Sequence, residues 1–271
     1  MGGAVEETEA SFADIAGVRT YVESRGSGRA VLFVHDRFGT HDTWLRQVGP
    51  LSQGLRTISY DARDLGRTGR SGAPYGVDDL ADDVVAVLDH LSVASAVLVG
   101  LSMGGGVAQT CALRHPDRVD GLVLVSSSSE FSATTRARFL REAELADGGG
   151  LAAAFPAMLE RWYSADFRER HPDVLARALR DLEALDPAVA AARSRANATR
   201  DLTSSLSLIE CPVLFVGGEL DPMGSRAHSE VFAALLGDRL TVAMVPDSSH
   251  MVPVEAADTL NELIADFVTR L

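Results

Sequence analysis

The chain has 271 residues and a mass of 28.8 kDa, with 46% apolar and 23% charged residues, a profile that permits a large buried core. Its 25 basic residues face 38 acidic ones, a net charge of −13 and a pI near 4.9, and without a basic stripe this sets nucleic acid aside as a partner. Every basic residue is arginine, so chemistry that needs a lysine amine is excluded: Schiff-base and pyridoxal catalysis, a Walker-type phosphate loop and a lysine-anchored carrier arm.

The opening stretch MGGAVEETEASFADIAG is acidic and lacks the apolar run of a secretory signal, and Glu6 stands where myristoylation wants Ser or Thr. No stretch reaches membrane-spanning length, so the expectation is a cytoplasmic enzyme or binding protein with no membrane partner. Four apolar runs read as strands buried on both faces: Ala30 to Val34, Arg56 to Tyr60, Ala96 to Gly100 and Gly121 to Val125. Between them, Val77 to Leu91 has helical periodicity, with Leu80, Val84, Val87, Leu88 and Leu91 on one face and Asp79, Asp82, Asp83 and Asp89 elsewhere. After the serine run Ser126 to Ser129 the strands stop, and the chain to about Ser205 shows only helical stretches, with Gly148 to Gly150 and several prolines as breaks. Two late strands, Val213 to Gly217 and Leu240 to Val245, resume the alternation. It predicts an α/β fold, a mostly parallel doubly wound sheet with an inserted helical cap: a core of 1–126 and 206–271 and a cap of 127–205. Cys111 and Cys211 lie in apolar surroundings and read as buried small hydrophobes, not as a disulfide framework.

The chemistry concentrates at Gly100-Leu101-Ser102-Met103-Gly104, a Gly-x-Ser-x-Gly between a β-rich run and a helical one that Pro116 stops. That context is a nucleophile elbow: the glycines allow a tight bend, the bend lifts Ser102 above the sheet edge, and the helix start beneath it aims amides at developing negative charge. A serine hydroxyl needs a base. Downstream, Val213 to Gly217 leads into a loop carrying Asp221, and the strand ending at Val245 leads into a loop carrying His250, which completes the order Ser102, Asp221, His250. Glu219 and Asp247 are rival acids, and the strand-end position favours Asp221. His35-Asp36 with His41-Asp42 fits no standard zinc spacing, so no metal is expected.

With these motifs the chain resembles the α/β-hydrolase fold superfamily from about Ser11 to Leu271. The likeness also rests on Val31-Leu32-Phe33-Val34-His35 ahead of Trp44, Tyr60-Asp61-Ala62-Arg63 before Gly66-Arg67, Asp117-Arg118-Val119, and Glu255 after His250. Within it the sequence looks most like 3-oxoadipate enol-lactonase-like proteins and related small-molecule esterases, whose cap pattern Arg161 to Arg168 follows. The resemblance implies an oxyanion hole made by the amides of Met103 and Arg37. Two positions depart from the pattern. Asp36 replaces the usual glycine after His35, and its carboxylate is expected to turn outward and pair with Arg37, the alternative being an inward charge near the oxyanion. Arg63-Asp64 stands where many relatives have glycine and histidine, as in some natural-product methyl esterases, and can serve simply to tie down the loop.

The resulting expectation is a serine hydrolase that forms an acyl-enzyme on a small, partly apolar ester or lactone, with no cofactor. Phe38, Phe155, Met158 and Trp162 are candidate substrate contacts; of the six apolar cap residues Phe131, Phe139, Phe155, Met158, Trp162 and Phe167, about half at most are expected to touch substrate and the rest to pack. Two other classes stay open on this fold: a cofactor-free lyase, cyclase or perhydrolase using His250 as a base, and a ligand-binding protein with little turnover. Oligomeric state is not legible in the sequence.

Overall fold

The computed structural model describes residues 8–223 and 225–271, and it opens with two strands that the search for continuous apolar runs passes over. The reading of the first residues, Glu6 included, lies outside the described residues. β1 (Glu9–Ile15) and β2 (Val18–Arg25) form an antiparallel hairpin around Ala16-Gly17, whose φ values of 50° and 78° are both positive. This primed turn matches the right-handed twist of the strands it joins. Both strands mix buried and open positions because they lie toward the sheet edge.

The six strands expected from the sequence follow: β3 (Ala30–Val34), β4 (Arg56–Tyr60), β5 (Ala96–Leu101), β6 (Val119–Val125), β7 (Val213–Gly218) and β8 (Leu240–Val245). They join one eight-stranded sheet in the order β1-β2-β4-β3-β5-β6-β7-β8, antiparallel only where β2 meets β1 and β4. The helices in chain order are α1 (Leu45–Leu51), α2 (Val77–His90), α3 (Met103–Arg114), α4 (Ala133–Asp147), α5 (Phe155–Trp162) and α6 (Ala165–Arg170). After them come α7 (Pro172–Glu183), α8 (Pro187–Thr199), α9 (Ser225–Leu236), α10 (Val252–Glu255) and α11 (Ala257–Thr269). Successive strand residues point to opposite faces, which splits the core in two. Leu32, Ile58, Leu98, Leu122 and Phe215 pack in one cluster with residues of α2, α3 and α9, whereas Phe33, Val97, Val99, Val123 and Leu214 pack in another with residues of α1 and α11. Among the described residues no helix is long and apolar enough to cross a membrane.

Two expectations need correction here. Asp83 does not lie on the open face of α2. It falls three residues after Leu80 and four before Val87, hence on the inward side, where its carboxylate takes the Arg63 guanidinium at 2.5 and 2.7 Å. Arg63 is thereby tied to α2, and Asp64 accepts from the amide and hydroxyl of Ser71 at 2.7 and 2.9 Å. Cys111 is buried but Cys211 only half-buried. Both are free thiols, and burial pushes them up to about 12 and about 11.

All helices from α4 to α8 fall between β6 and β7. They gather a separate apolar cluster that includes Ala143, Leu151, Phe155, Met158, Leu182 and Ala190, and Phe38 from the loop after β3 inserts into it.

Candidate active site

Ser102 sits at the junction of β5 and α3 with φ 54° and ψ −111°, a backbone conformation that a side chain adopts only when its surroundings hold it there. The holding contacts are specific. The Ser102 amide donates to the Val125 carbonyl at 2.9 Å and its own carbonyl accepts from the Ser127 hydroxyl at 2.9 Å. A Cβ at Gly104 would overlap the Val34 and His35 carbonyls, and one at Gly100 would overlap the Gly104 backbone, so both glycines are required by close approach.

Asp221, in the turn after β7, and His250, in the loop after β8, meet with Oδ2 and Nδ1 3.0 Å apart. Asp221 also accepts from the Met223 amide at 2.8 Å and the Ser225 hydroxyl at 2.7 Å. Burial alone pushes this carboxyl upward. Attraction to His250 and the hydrogen bonds from His250, Ser225 and Met223 outweigh it and hold the pKa below its ordinary value. Of the rival acids, Glu219 is exposed and faces Arg226 at 3.7 Å, and Asp247 is exposed with no hydrogen bond to His250. Ser102, Asp221 and His250 line one cleft, without a direct hydrogen bond between the Ser102 hydroxyl and the ring.

Arg37 lines the same cleft and Met103 follows Ser102 at the start of α3, and the amide of neither donates to a protein group among the described residues. The expected pairing of Asp36 with Arg37 does not occur. Arg37 instead reaches 2.5 Å from Glu142 on α4 and 3.0 Å from Ser194 on α8, its guanidinium lying over the Phe38 and Phe139 rings at 4.2 and 4.7 Å. Glu142, 3% exposed, also accepts from Arg161 at 3.0 Å, so a buried anion draws the guanidinium away from its chain neighbour. The Arg37 carbonyl accepts from Arg193 Nε at 2.6 Å. Asp36 lies against Gly39 and takes the Thr43 hydroxyl at 3.5 Å.

The two histidines of this region act as struts. His35 donates from Nδ1 to the Asp36 carbonyl at 2.8 Å and accepts at Nε2 from the Ala62 amide at 3.0 Å, while burial and then Arg193 hold its pKa down. His41 Nδ1 lies 2.7 Å from Asp61, which also accepts from the His41 and Arg67 amides.

The cavity within the cleft is about 40 Å³. Phe38 and Trp162 line it, as do Phe131 and Phe139. Phe155 and Met158 do not, because the apolar stripe of α5 turns them into the cluster of its own neighbours, and Phe167 stacks on Tyr163 with centroids 5.2 Å apart. Six further residues line it without being site candidates from the sequence: Ser126, Ser127 and Ser128 just after β6, and Asn197, Met223 and His228. The signal available for Asn197 is the spacing Arg193, Ser194, Asn197, Arg200, a polar stripe on one helical face.

Comparison with known proteins fits this geometry. Residues 29–257 match the model of a family described as the alpha/beta hydrolase fold. The chain is 27% identical over 247 residues to 3-oxoadipate enol-lactonase 2 of Acinetobacter baylyi, covering 89% of this chain and 90% of that protein. Among solved structures it is similar to the enol-lactonase from Burkholderia xenovorans LB400, with a TM-score of 0.87 and 27% identity over 96% of this chain and 100% of that one. It is also similar to Est816, described as an N-acyl homoserine lactone degrading enzyme, with a TM-score of 0.84 and 30% identity over 95% of this chain and 100% of that one.

Proposed function

The chain belongs to the α/β-hydrolase fold family and is a hydrolase, and from that premise we propose that it cleaves small, partly apolar carboxylic esters or lactones through Ser102, His250 and Asp221. The observation that carries this reading is the 3.0 Å contact between His250 and a buried, ionised Asp221, facing the same cleft as a serine held in a strained elbow. Asp221 accepts from Nδ1–H, which leaves Nε2 as the free base. His250 takes the proton of Ser102 as Oγ attacks the carbonyl carbon, and the amides of Met103 and Arg37 hold the oxyanion. Collapse expels an alkoxide that takes the proton from His250 and leaves an acyl-serine. Water, deprotonated by the same ring, then attacks the acyl carbon and releases the acid and the free serine. In a lactone the departing alkoxide remains tethered to the acyl group. The similarity to an enol-lactonase and to a lactone-degrading enzyme supports this substrate class.

In this reading residues 1–126 and 206–271 form the catalytic body and 127–205 its cap, with Phe38 and Trp162 against the substrate. No cofactor takes part, and the reaction suits a cytoplasmic enzyme of small metabolites. Intact-mass analysis after a fluorophosphonate, alongside turnover of p-nitrophenyl acetate, tests it. One adduct is expected on the native protein and none on Ser102→Ala or His250→Ala, with turnover lost in both by several orders of magnitude. Equal labelling of all three proteins overturns the acyl-enzyme and leaves a non-acylating reaction on this fold.

A further inference from the structure

The inward face of α8 and the residue that caps its C-terminal end carry four buried polar side chains, Arg193, Ser194, Asn197 and Arg200. Three of them hold neighbouring groups, although Arg193 Nη1 and Arg200 Nε are left without a protein partner among the described residues. Arg193 donates to the Arg37 carbonyl at 2.6 Å, Ser194 accepts from Arg37 at 3.0 Å and donates to the Ala190 carbonyl at 2.8 Å, and Arg200 donates to the Ser128 carbonyl and hydroxyl. Asn197 alone of the four lines the cleft that Ser102 and His250 share, and, 1% exposed, its side-chain amide makes no hydrogen bond to a protein group among the described residues. A second group repeats the pattern. Ser126, 6% exposed at the end of β6, has its amide fixed on the Val216 carbonyl at 2.8 Å and its backbone at φ 45°, yet its hydroxyl has no protein partner and it too lines the cleft.

Buried polar groups are paired almost without exception. Of the 13 buried side-chain atoms without a protein hydrogen-bond partner among the described residues, Asn197 Oδ1 and Ser126 Oγ are the two whose residues line the cleft, where a bound substrate can supply the partner. We propose that Asn197 and Ser126 form a polar subsite that binds a hydroxyl group carried by the ester or lactone; the proposal rests on the hydrolase reading above. A hydroxyl suits both partners, since it can donate to the Asn197 amide oxygen while accepting from Ser126. An alkyl group satisfies neither, and an ether oxygen has no hydrogen for Asn197. A carboxylate likewise has none, and it would share the cleft with Asp36 and Asp221. The guanidinium that lines the cleft, Arg37, is already committed to Glu142 and Ser194.

The test compares kcat/KM within matched sets: methyl propanoate against methyl 2-hydroxypropanoate, methyl 3-hydroxypropanoate and monomethyl succinate for the acyl side, and propyl acetate against 2-hydroxyethyl acetate for the alcohol side. Native protein, Asn197→Leu and Ser126→Gly are each measured. Ser126→Gly removes the hydroxyl while suiting a positive φ, which keeps the question answerable if Asn197→Leu fails to fold. The proposal expects one hydroxylated ester to exceed its parent, and each variant to lower that ratio about tenfold, the intrinsic reactivity of the ester cancelling between proteins. The set in which the ratio falls shows whether the hydroxyl belongs to the acyl or the alcohol half. Ratios that both variants leave unchanged, or a larger gain for monomethyl succinate than for any hydroxylated ester, overturn the subsite. When those results come with fluorophosphonate labelling of Ser102 and turnover of the parent esters, the subsite alone falls. With neither labelling nor turnover the hydrolase reading falls as well.

Discussion

An ionised carboxylate shut away from water survives only if hydrogen bonds and a neighbouring charge replace its solvation, and Asp221 has both on a side chain 2% exposed. Its neutral amide equivalent keeps the size and loses the charge. Asp221→Asn is therefore expected to fold and to lose turnover by about 10⁴-fold, while Asp247→Asn and Glu219→Gln change it by less than about twofold, measured as kcat on p-nitrophenyl acetate. Similar losses at Asp221 and Asp247 would unseat Asp221 as the partner of His250. Another buried pair sets a pH dependence. Burial works against a charged His41, but the hydrogen bond and charge of Asp61, with Asp42 and Glu23 behind it, raise the ring's pKa, so its contribution is complete below the ordinary value and fades as pH rises through the folded-state value. For Asp61 the sign is opposite: burial raises its pKa but the bonds from His41 and Arg67 lower it further, and its contribution is lost only in acid. The melting temperature is expected to fall as pH rises above the ordinary histidine range and His41 loses its proton, and His41→Gln is expected to flatten that segment in calorimetry. An unchanged slope in the variant would place its origin elsewhere. Ser102, Asp221 and His250 are legible in sequence because each lies at a strand end with a local signature. The partner of Arg37 is not, since Glu142 lies 105 positions away and only the folded chain brings them together.

At the scale of elements, the strands that sequence reveals are those covered on both faces, where nearly every residue of β3, β5 and β7 must be apolar. β1 and β2 escape the same search because charged and polar residues interleave with their apolar ones, although Val18, Thr20 and Val22 already place alternate side chains inward. Helix α2 is legible in position, but the inward place of Asp83 is not, because the arginine that pairs with it, Arg63, comes from a loop and not from the helix. The junction of β5 and α3 depends on something simpler, the absence of a side chain at Gly104. Adding one drives a methyl group into the Val34 and His35 carbonyls, which are fixed backbone and cannot rotate aside. Gly104→Ala is expected to destabilise the fold by about 3 kcal/mol or more in urea denaturation and to abolish labelling of Ser102. Gly54→Ala, at a position with nothing within 4 Å and no positive φ, is the control and is expected to change neither. An elbow that accepts Gly104→Ala without loss would mean that α3 can shift away from β3 at little cost.

Across the whole molecule, the helices from α4 to α8 are joined to the sheet body at many separate points. Arg193 and Glu142 grip Arg37 beside the cleft, the Trp162 carbonyl accepts from the Met251 amide at 2.9 Å, Glu255 accepts from the Ser164 amide at 3.1 Å, and Arg177 reaches Asp42 at 2.5 Å. The apolar cluster of those helices is also incomplete without Phe38, which the sheet body supplies. A helical layer with so small a core and a borrowed aromatic residue has little stability of its own, so it is expected to unfold together with the sheet. The protein's 2 tryptophans divide the question between them. Trp44 is fully buried beside Phe33 on one face of the sheet, and Trp162 is half-buried at the end of α5 beside Phe155. In Trp44→Phe the fluorescence reports only the helical layer, and in Trp162→Phe only the sheet. Each variant shifts the stability of the whole, Trp44→Phe by more because it empties part of a close-packed site. Within each variant, however, the urea midpoint from fluorescence is expected to coincide with that from far-ultraviolet circular dichroism. If the Trp162 signal of Trp44→Phe is lost at lower urea than the helical signal of the same protein, the layer opens independently of the sheet, and the contacts through Arg37, Met251 and Glu255 are too weak to bind the two into one cooperative unit.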